Sequence, residues 1–585
     1  MGKYLLGVLS GVILVILVCV LGVFAVASYK SRPPVVSEGS VLVLRLSGEV
    51  HERTQLEVPL PFLGDRNSLT VRDIWSVLHR AAADTRIKAV VLQPEGASLG
   101  WAKMQEIRSD LDQFRKSGKP VYAYLKTPST RDYYLASGAT RVYLGPADGL
   151  NVKGIALGLM YYKGTLDKLG VQVEVEHAGK YKDFGDSYTR TSMSPETREV
   201  MNGIADNVYN DLIAAVARGR KRSESEIRST IDDGPFIAVQ AKARGLVDEL
   251  KYEDDMWTDL RKLLKQTTIK KVTAADYAAV PDSSAGSTDR IAFVAAEGAI
   301  SRGDSESPDT DGLESASFVR MLKKVGDDST LKGVIVRIDS PGGEVPASDE
   351  LWQAMGELHK KKPMVISMSD AAASGGYYMA MTGDPIVAYP GTETGSIGVV
   401  FGKPNLRGLY DKIGLSKDFV SRGKQALMES DYQPMSAAER SKLREGIDAT
   451  YVDFVGKVAA ARKRSFAEIE PLAQGRVWMG DQARARGLVD ELGGLDRALE
   501  LVRKKAGIPA TAKVHLVVYP GKRTLLDMLV RTSPEASGDD TDARIGALLS
   551  RTGLEPLRAA WRDPGLRVWL HGGMLQIKQF AIELH

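Results

Sequence analysis

Short apolar runs recur along the chain and alternate with stretches of helical period. "AVVL" (89–92), "GVIVRI" (333–338), "PMVIS" (363–367) and "PIVAYP" (385–390) read as buried strands. Between two of them, "SDELWQAMGELHKKK" (348–362) places Leu351, Met355 and Leu358 at i, i+4 and i+7, the spacing of an amphipathic helix. Strands alternating with helices in this way predict βαβ units around a largely parallel sheet, an α/β fold.

The pattern occurs twice. "AKARGLVDEL" (241–250) returns as "ARARGLVDEL" (483–492), and "RKRSESEI" (220–227) returns as "RKRSFAEI" (462–469). Farther upstream "RIKAVVLQPEG" (86–96) corresponds to "TLKGVIVRIDS" (330–340), and Lys119-Pro120 to Lys362-Pro363. A near-constant offset of 242 to 244 residues across these segments makes a tandem duplication. The first repeat is read as residues 35–270 and the second as 285–505, joined by the Ser-, Gly- and Asp-rich "VPDSSAGSTDR" (280–290). Residues 506–585 have no evident counterpart and form a C-terminal extension of unread role.

One apolar run is of another kind. Leu5 to Ser28 carry no charge, and as a helix this run is about 36 Å long, enough for a bilayer core of about 30 Å. Residues 1–30 are therefore expected to be a membrane anchor. A cleaved signal peptide, with Ala25 and Ala27 at an A-x-A site, is the competing reading, but the run exceeds the usual signal-peptide core. Lys3 and the α-amine stand against Lys30 and Arg32, so charge does not set the orientation of the span.

Composition narrows the classes. At 585 residues two or more domains are required, and 43% apolar and 26% charged residues are ordinary for globular protein. A net charge of +4 gives no reason to expect a nucleic-acid partner. The single cysteine, Cys19, excludes internal disulfides. With no CxxC or HExxH spacing and seven scattered histidines, neither a metal nor a cofactor is expected.

The repeats differ where chemistry would reside. After its strand the second repeat reads Ser340-Pro341-Gly342-Gly343-Glu344, where the first reads Gly96-Ala97-Ser98-Leu99-Gly100. It then has Ala373-Ser374-Gly375-Gly376 ahead of Tyr377-Tyr378, where the first has Ser129-Thr130-Arg131-Asp132 ahead of Tyr133-Tyr134. A serine flanked by alanines and glycines lets another backbone approach its hydroxyl, as an attacking nucleophile requires. Gly375 and Gly343 are candidate backbone donors to a developing oxyanion. The pattern is near the G-x-S-x-G elbow, but the only histidines after Ser374 are His515, His571 and His585, in or beyond the unmatched tail. A lysine whose pKa is lowered by burial is the better base. "AGKYKDFGDSYTRTSMS" in the first repeat parallels "RGKQALMESDYQPMS" in the second, which is two residues shorter. Aligned from the left, Lys180 matches Lys424; aligned from the right, Lys182 does. The residues leave Lys182 and Lys424 both open.

The tandem copies together with "DSPGG", "AASGG" and "GKYKD" resemble the membrane-bound signal peptide peptidases of family S49 in their long bacterial form. The resemblance implies two ClpP/crotonase-like domains behind one transmembrane helix, and a Ser–Lys dyad split between the repeats. It maps Ser374 as nucleophile, Lys182 as general base, Ser396 of "TGSIG" as a support for the lysine amine, and Gly343 and Gly375 as oxyanion donors. Shorter relatives keep both dyad residues in one copy, so Lys424 stays the runner-up base, although "GKQAL" departs from "GKYKD". The implied substrates are remnant signal peptides. The implied setting is the bacterial inner membrane, with a homotetramer on its periplasmic side and no nucleic-acid partner. Two rival readings are a crotonase-type acyl-CoA enzyme, which shares an oxyanion hole, and a non-catalytic membrane scaffold.

Overall fold

The computed structural model describes residues 34–53, 69–282, 284–303 and 312–521. The anchor expected over residues 1–30, and the extension from 522 onward, lie outside the described residues. Among the described residues no helix is long and apolar enough to cross a membrane.

In the first repeat β1 (Ser40–Glu49), α1 (Val71–Ala83), β2 (Ile87–Ser98), α2 (Trp101–Lys116), β3 (Val121–Leu125), α3 (Thr130–Ala136) and β4 (Arg141–Leu144) alternate. They are followed by β5 (Gln172–Ala178), α4 (Pro195–Arg220), β6 (Glu249–Leu250), α5 (Glu253–Leu263) and β7 (Lys271–Thr273). The sheet order is β6-β4-β3-β2-β1-β7, with every pairing parallel. The middle of each long strand is an unbroken apolar run, as at Val41–Leu44 and Ala89–Leu92, because both faces are covered there. Leu42, Val90 and Leu92 share one core with Ile74, Leu78 and Ile107; Val41, Val43 and Val91 pack with Trp257 and Leu260 on the other side.

The second repeat contains β8 (Asp289–Glu297), β9 (Leu331–Ser340), α6 (Val345–Lys361), β10 (Met364–Ala373), α7 (Gly375–Met379), β11 (Ile386–Ala388), β12 (Glu393–Gly395) and β13 (Val399–Asn405). It ends in α8 (Ala437–Arg462), β14 (Val477–Met479), β15 (Glu491–Leu492), α9 (Leu495–Lys505) and β16 (Val514–Tyr519). Along α6 the expected stripe is buried: Leu351, Met355 and Leu358 join the core with Val334, Val336 and Ile366. α4 and α8 show the duplication most plainly. Each is 26 residues long, each starts on a serine cap (Ser194, Ser436), and each ends on a left-handed lysine (Lys221, Lys463).

The second sheet corrects one boundary. β16 pairs with β8 in parallel, the place β7 takes beside β1 in the first sheet. Residues 514–519 thus take the place in the second sheet that residues 271–273 take in the first, one strand beyond the ends at 270 and 505 read from the sequence. The first-repeat strand is only three residues long, which hid the match.

The second sheet also branches. The first part of β10 pairs with β11 (Ile366↔Ile386), whereas its last residues pair with β12 (Ala373↔Gly395). On the other side Ser340 of β9 is in register with Ala372. Three strand ends therefore meet around residue 374.

The repeats are joined in two ways. β5 of the first pairs antiparallel with β13 of the second, from Gln172↔Asn405 to Ala178↔Val399. Elsewhere each repeat caps a helix of the other: the Asp370 carboxylate accepts from the Gly100 and Lys103 N–H groups at the start of α2, at 3.0 and 2.9 Å. Glu106 Oε1 accepts from Leu495 N–H at the start of α9, at 2.8 Å. Between them lies a buried ionic cluster. Arg337 pairs with Glu52 at 2.8 Å and with Glu106, and Lys103 pairs with Asp339 at 2.7 Å. Buried charges persist only when matched in this way.

Candidate active site

Ser374 stands on the sharp turn between β10 and α7, with φ 52° and ψ −117°. A positive φ is strained for a residue with a Cβ, and the surrounding backbone has to hold it there. Ser374 N–H donates to Gly395 O at 2.8 Å and Tyr378 N–H donates back to Ser374 O at 2.8 Å, fixing the turn on both sides. The small residues have a visible purpose. A Cβ on Gly376 would lie 2.7 Å from Ser340 O, and one on Gly342 would lie 2.6 Å from Gly375 N and 2.9 Å from Ser374 Cβ. The Pro341–Gly343 loop is therefore laid directly against the serine turn.

That loop has its own supports. Ser340 Oγ donates to Gly298 O at 2.7 Å and accepts from Gly342 N–H at 3.2 Å. Gly343 bridges to Ile300 so closely that a Cβ would meet Ile300 O at 1.7 Å. Gly375, as the first residue of α7, has no intrahelical acceptor for its N–H.

Lys182 comes from the first repeat. It follows β5, whose pairing with β13 carries the segment 179–182 to the second repeat. Tyr181 N–H donates to Gln474 O at 2.8 Å and Lys182 N–H to Gly179 O at 3.1 Å. Gly475 makes room: a Cβ there would lie 2.6 Å from the Lys182 backbone nitrogen. Lys182 Nζ ends 2.9 Å from Ser374 Oγ, 2.9 Å from Ser396 Oγ and 3.1 Å from Ser396 O.

Burial pushes the Lys182 ammonium down to about 7, and the Asp183 carboxylate pulls weakly the other way. Desolvation penalises the charged amine because the three nearby oxygens are neutral. As an ammonium Lys182 donates to all three. As a neutral amine it donates two hydrogens to Ser396 and receives the Ser374 O–H on its lone pair. A base so placed can remove the Ser374 proton. Ser396 is itself fully buried, with φ 50°, and its N–H donates to Arg476 O at 2.7 Å.

The other lysines lie elsewhere. Lys424 is exposed in the segment between β13 and α8, and Lys180 is exposed over the Tyr181 ring. In the first repeat the equivalent turn is filled by its own side chains. Asp132 accepts from Ser129 N–H at 2.9 Å, Ser129 Oγ at 2.7 Å and Gly96 N–H at 3.2 Å, closing a capping box at the start of α3. Thr130 is buried behind it. Sequence reasoning did not single out Ser340, Gly395 or Gly475, which shape this site. Gly475 in "AQGRV" carries no local signal, because its role depends on a segment from the other repeat.

The model of peptidase family S49 matches residues 113–267 and 357–509, one stretch in each repeat. The chain is 34% identical over 491 residues to the chloroplastic serine protease SPPA of Arabidopsis thaliana, spanning 82% of this chain and 71% of that one. It is 32% identical over 515 residues to Protease 4 of Salmonella typhi, spanning 84% and 81% of the two chains. It is 31% identical over 448 residues to Protease 4 of Haemophilus influenzae, spanning 73% and 71%.

Proposed function

The chain belongs to peptidase family S49 and is a serine protease, and on that premise we propose that it cuts apolar peptides with a dyad of Ser374 and Lys182. The observation that carries this reading is the 2.9 Å contact between Lys182 Nζ and Ser374 Oγ, made by a lysine whose burial pushes its ammonium down to about 7. Neutral Lys182 takes the Ser374 proton as Oγ attacks the scissile carbonyl carbon. The carbonyl oxygen becomes an oxyanion, held by the N–H groups of Gly375 and Gly343. Lys182 then hands its proton to the departing amine and the C–N bond breaks, leaving an acyl-serine. In the second half Lys182 takes a proton from water, hydroxide adds to the ester, and the proton returns to Ser374. Ser396 steers the amine throughout. Gly342 keeps the approach to the Gly375 N–H open.

The substrate class follows from location. The uncharged run Leu5–Ser28 supports a single membrane anchor, and remnant signal peptides are apolar segments left in that membrane. The proposed setting is the inner membrane with the two repeats on its outer side, assembled as a homotetramer. These points rest on the apolar run and on the family resemblance. The test is to incubate the detergent-solubilised full chain with a synthetic signal peptide and identify fragments by mass spectrometry. Cuts within the apolar core that vanish in Ser374→Ala support the proposal. Fragments that persist in that variant contradict it.

A further inference from the structure

Away from the serine site, three chemistry-bearing side chains converge between the repeats: His79 on α1, Asp110 on α2 and Asp496 at the start of α9. We propose that they hold one divalent transition-metal ion, best matched by Zn²⁺, which clamps the first repeat to the second. One imidazole nitrogen and two carboxylates form a donor set suited to such an ion, with the fourth position left to water.

The geometry is close to what the ion needs. His79 Nε2 is 3.3 Å from Asp496 Oδ2 and 3.8 Å from Asp110 Oδ1, and the three ligand atoms all lie within 4.8 Å of one another. Donors about 2.0–2.1 Å from a tetrahedral zinc stand roughly 3.3 Å apart, so His79 and Asp496 are already at that spacing and Asp110 has to move inward.

A second observation comes from satisfaction of polar atoms. Asp110 is 3% exposed, and its Oδ2 has no hydrogen-bond partner; His79 Nε2 is also buried without one. The imidazole thus stands at ion-pair distance from two carboxylates without a well-aligned N–H···O bond to either. A buried carboxylate oxygen left this way is costly, and a dication offsets the two negative charges.

The surroundings orient the ligands as metal sites require. Trp75, one turn before His79 on α1, donates from Nε1 to Asp496 Oδ1 at 2.7 Å, leaving Oδ2 to face His79. Its ring lies 4.8 Å from the His79 ring. No spacing rule finds this site, because the ligands come from three helices in two repeats. That is why the absence of HExxH and CxxC patterns pointed away from metals.

The test uses the chelator-treated full chain in detergent, titrated with Zn²⁺ by calorimetry and followed by thermal melting. His79→Gln and Asp496→Asn are the variants, near-isosteric changes at side chains 32% and 43% exposed. The proposal predicts one Zn²⁺ per chain and a melting temperature that climbs with each increase in free Zn²⁺. It also predicts at least about tenfold weaker binding in both variants, by analogy with loss of a metal's supporting residues. Crystals grown with Zn²⁺ should give an anomalous peak among the three side chains. No saturable binding, equal binding by the variants, or a His79 ring that keeps both N–H protons in excess Zn²⁺ would overturn it. The last result would leave an imidazolium bridging two carboxylates.

Discussion

Lys182 Nζ lies 2.9 Å from Ser374 Oγ although the two residues are 192 positions apart and belong to different repeats. The contact exists because β5 and β13 pair across the repeats, and because Gly475 lets the Lys182 backbone press against the second. Neither repeat contains both groups. A dyad of these two groups would exist only while the two repeats stay docked.

The first prediction concerns pH. With Lys182 pushed down to about 7 by burial, the neutral base is lost as pH falls through that value. kcat/KM for a neutral peptide should therefore rise through about pH 7 and level off above it. Stability carries the same sign. Between about 7 and the ordinary 10.5 the unfolded chain binds a proton here that the folded chain does not, so stability rises with pH over that window. Relative to Lys182→Met, urea unfolding should show a slope of on the order of 1.4 kcal/mol per pH unit where the proton difference is complete.

Gly342→Ala tests the loop above the serine. Gly342 has φ +103°, and the new methyl would sit 2.6 Å from Gly375 N. The variant should lose about 10²–10³ in kcat, the usual cost of one oxyanion donor. Its circular dichroism should stay close to wild type. Unchanged kcat would mean that Gly375 N–H is not used.

Ser396→Ala removes one of the two Ser396 acceptors of the Lys182 amine and leaves the carbonyl at 3.1 Å. A hydrogen bond to a chargeable group contributes about 1.5–3 kcal/mol. The expectation is a fall in kcat of about tenfold to a hundredfold with little change in KM. The acid limb of the pH profile should move to lower pH, because the ammonium form has lost an acceptor. A purely structural role for Ser396 would leave that limb in place.

Arg337→Met tests the docking of the repeats. Removing the guanidinium strands Glu52 and Glu106, whose side chains are 1% exposed. Burial already pushes the Glu52 carboxyl up against the pull of Arg337. The loss should be about 3–5 kcal/mol by urea unfolding. Replacing all three residues by apolar ones should recover much of it.

What could be read from the sequence was what local patterns encode. The α6 stripe of Leu351, Met355 and Leu358 is buried as its period required, and the serine between alanines and glycines sits on a strand-to-helix turn. The two lysines could not be separated, because the segments around them differ by two residues and align from either end. The β5–β13 pairing carries Lys182, and not Lys424, to Ser374, and pairing between distant strands has no local signature. Gly475 was invisible, and Ser340 was read only as part of its loop, for the same reason: each matters for what another part of the chain brings beside it. β16 was missed because its counterpart, β7, is only three residues long.

The most direct measurement compares hydrolysis of a fluorogenic apolar peptide by the full chain and by its Ser374→Ala, Lys182→Ala and Lys424→Ala variants. The account predicts that the first two lose activity by several orders of magnitude while folding normally, and that Lys424→Ala, altered at an exposed site, cleaves like wild type. Loss of activity in Lys424→Ala with Lys182→Ala still active would contradict a dyad shared between the two repeats.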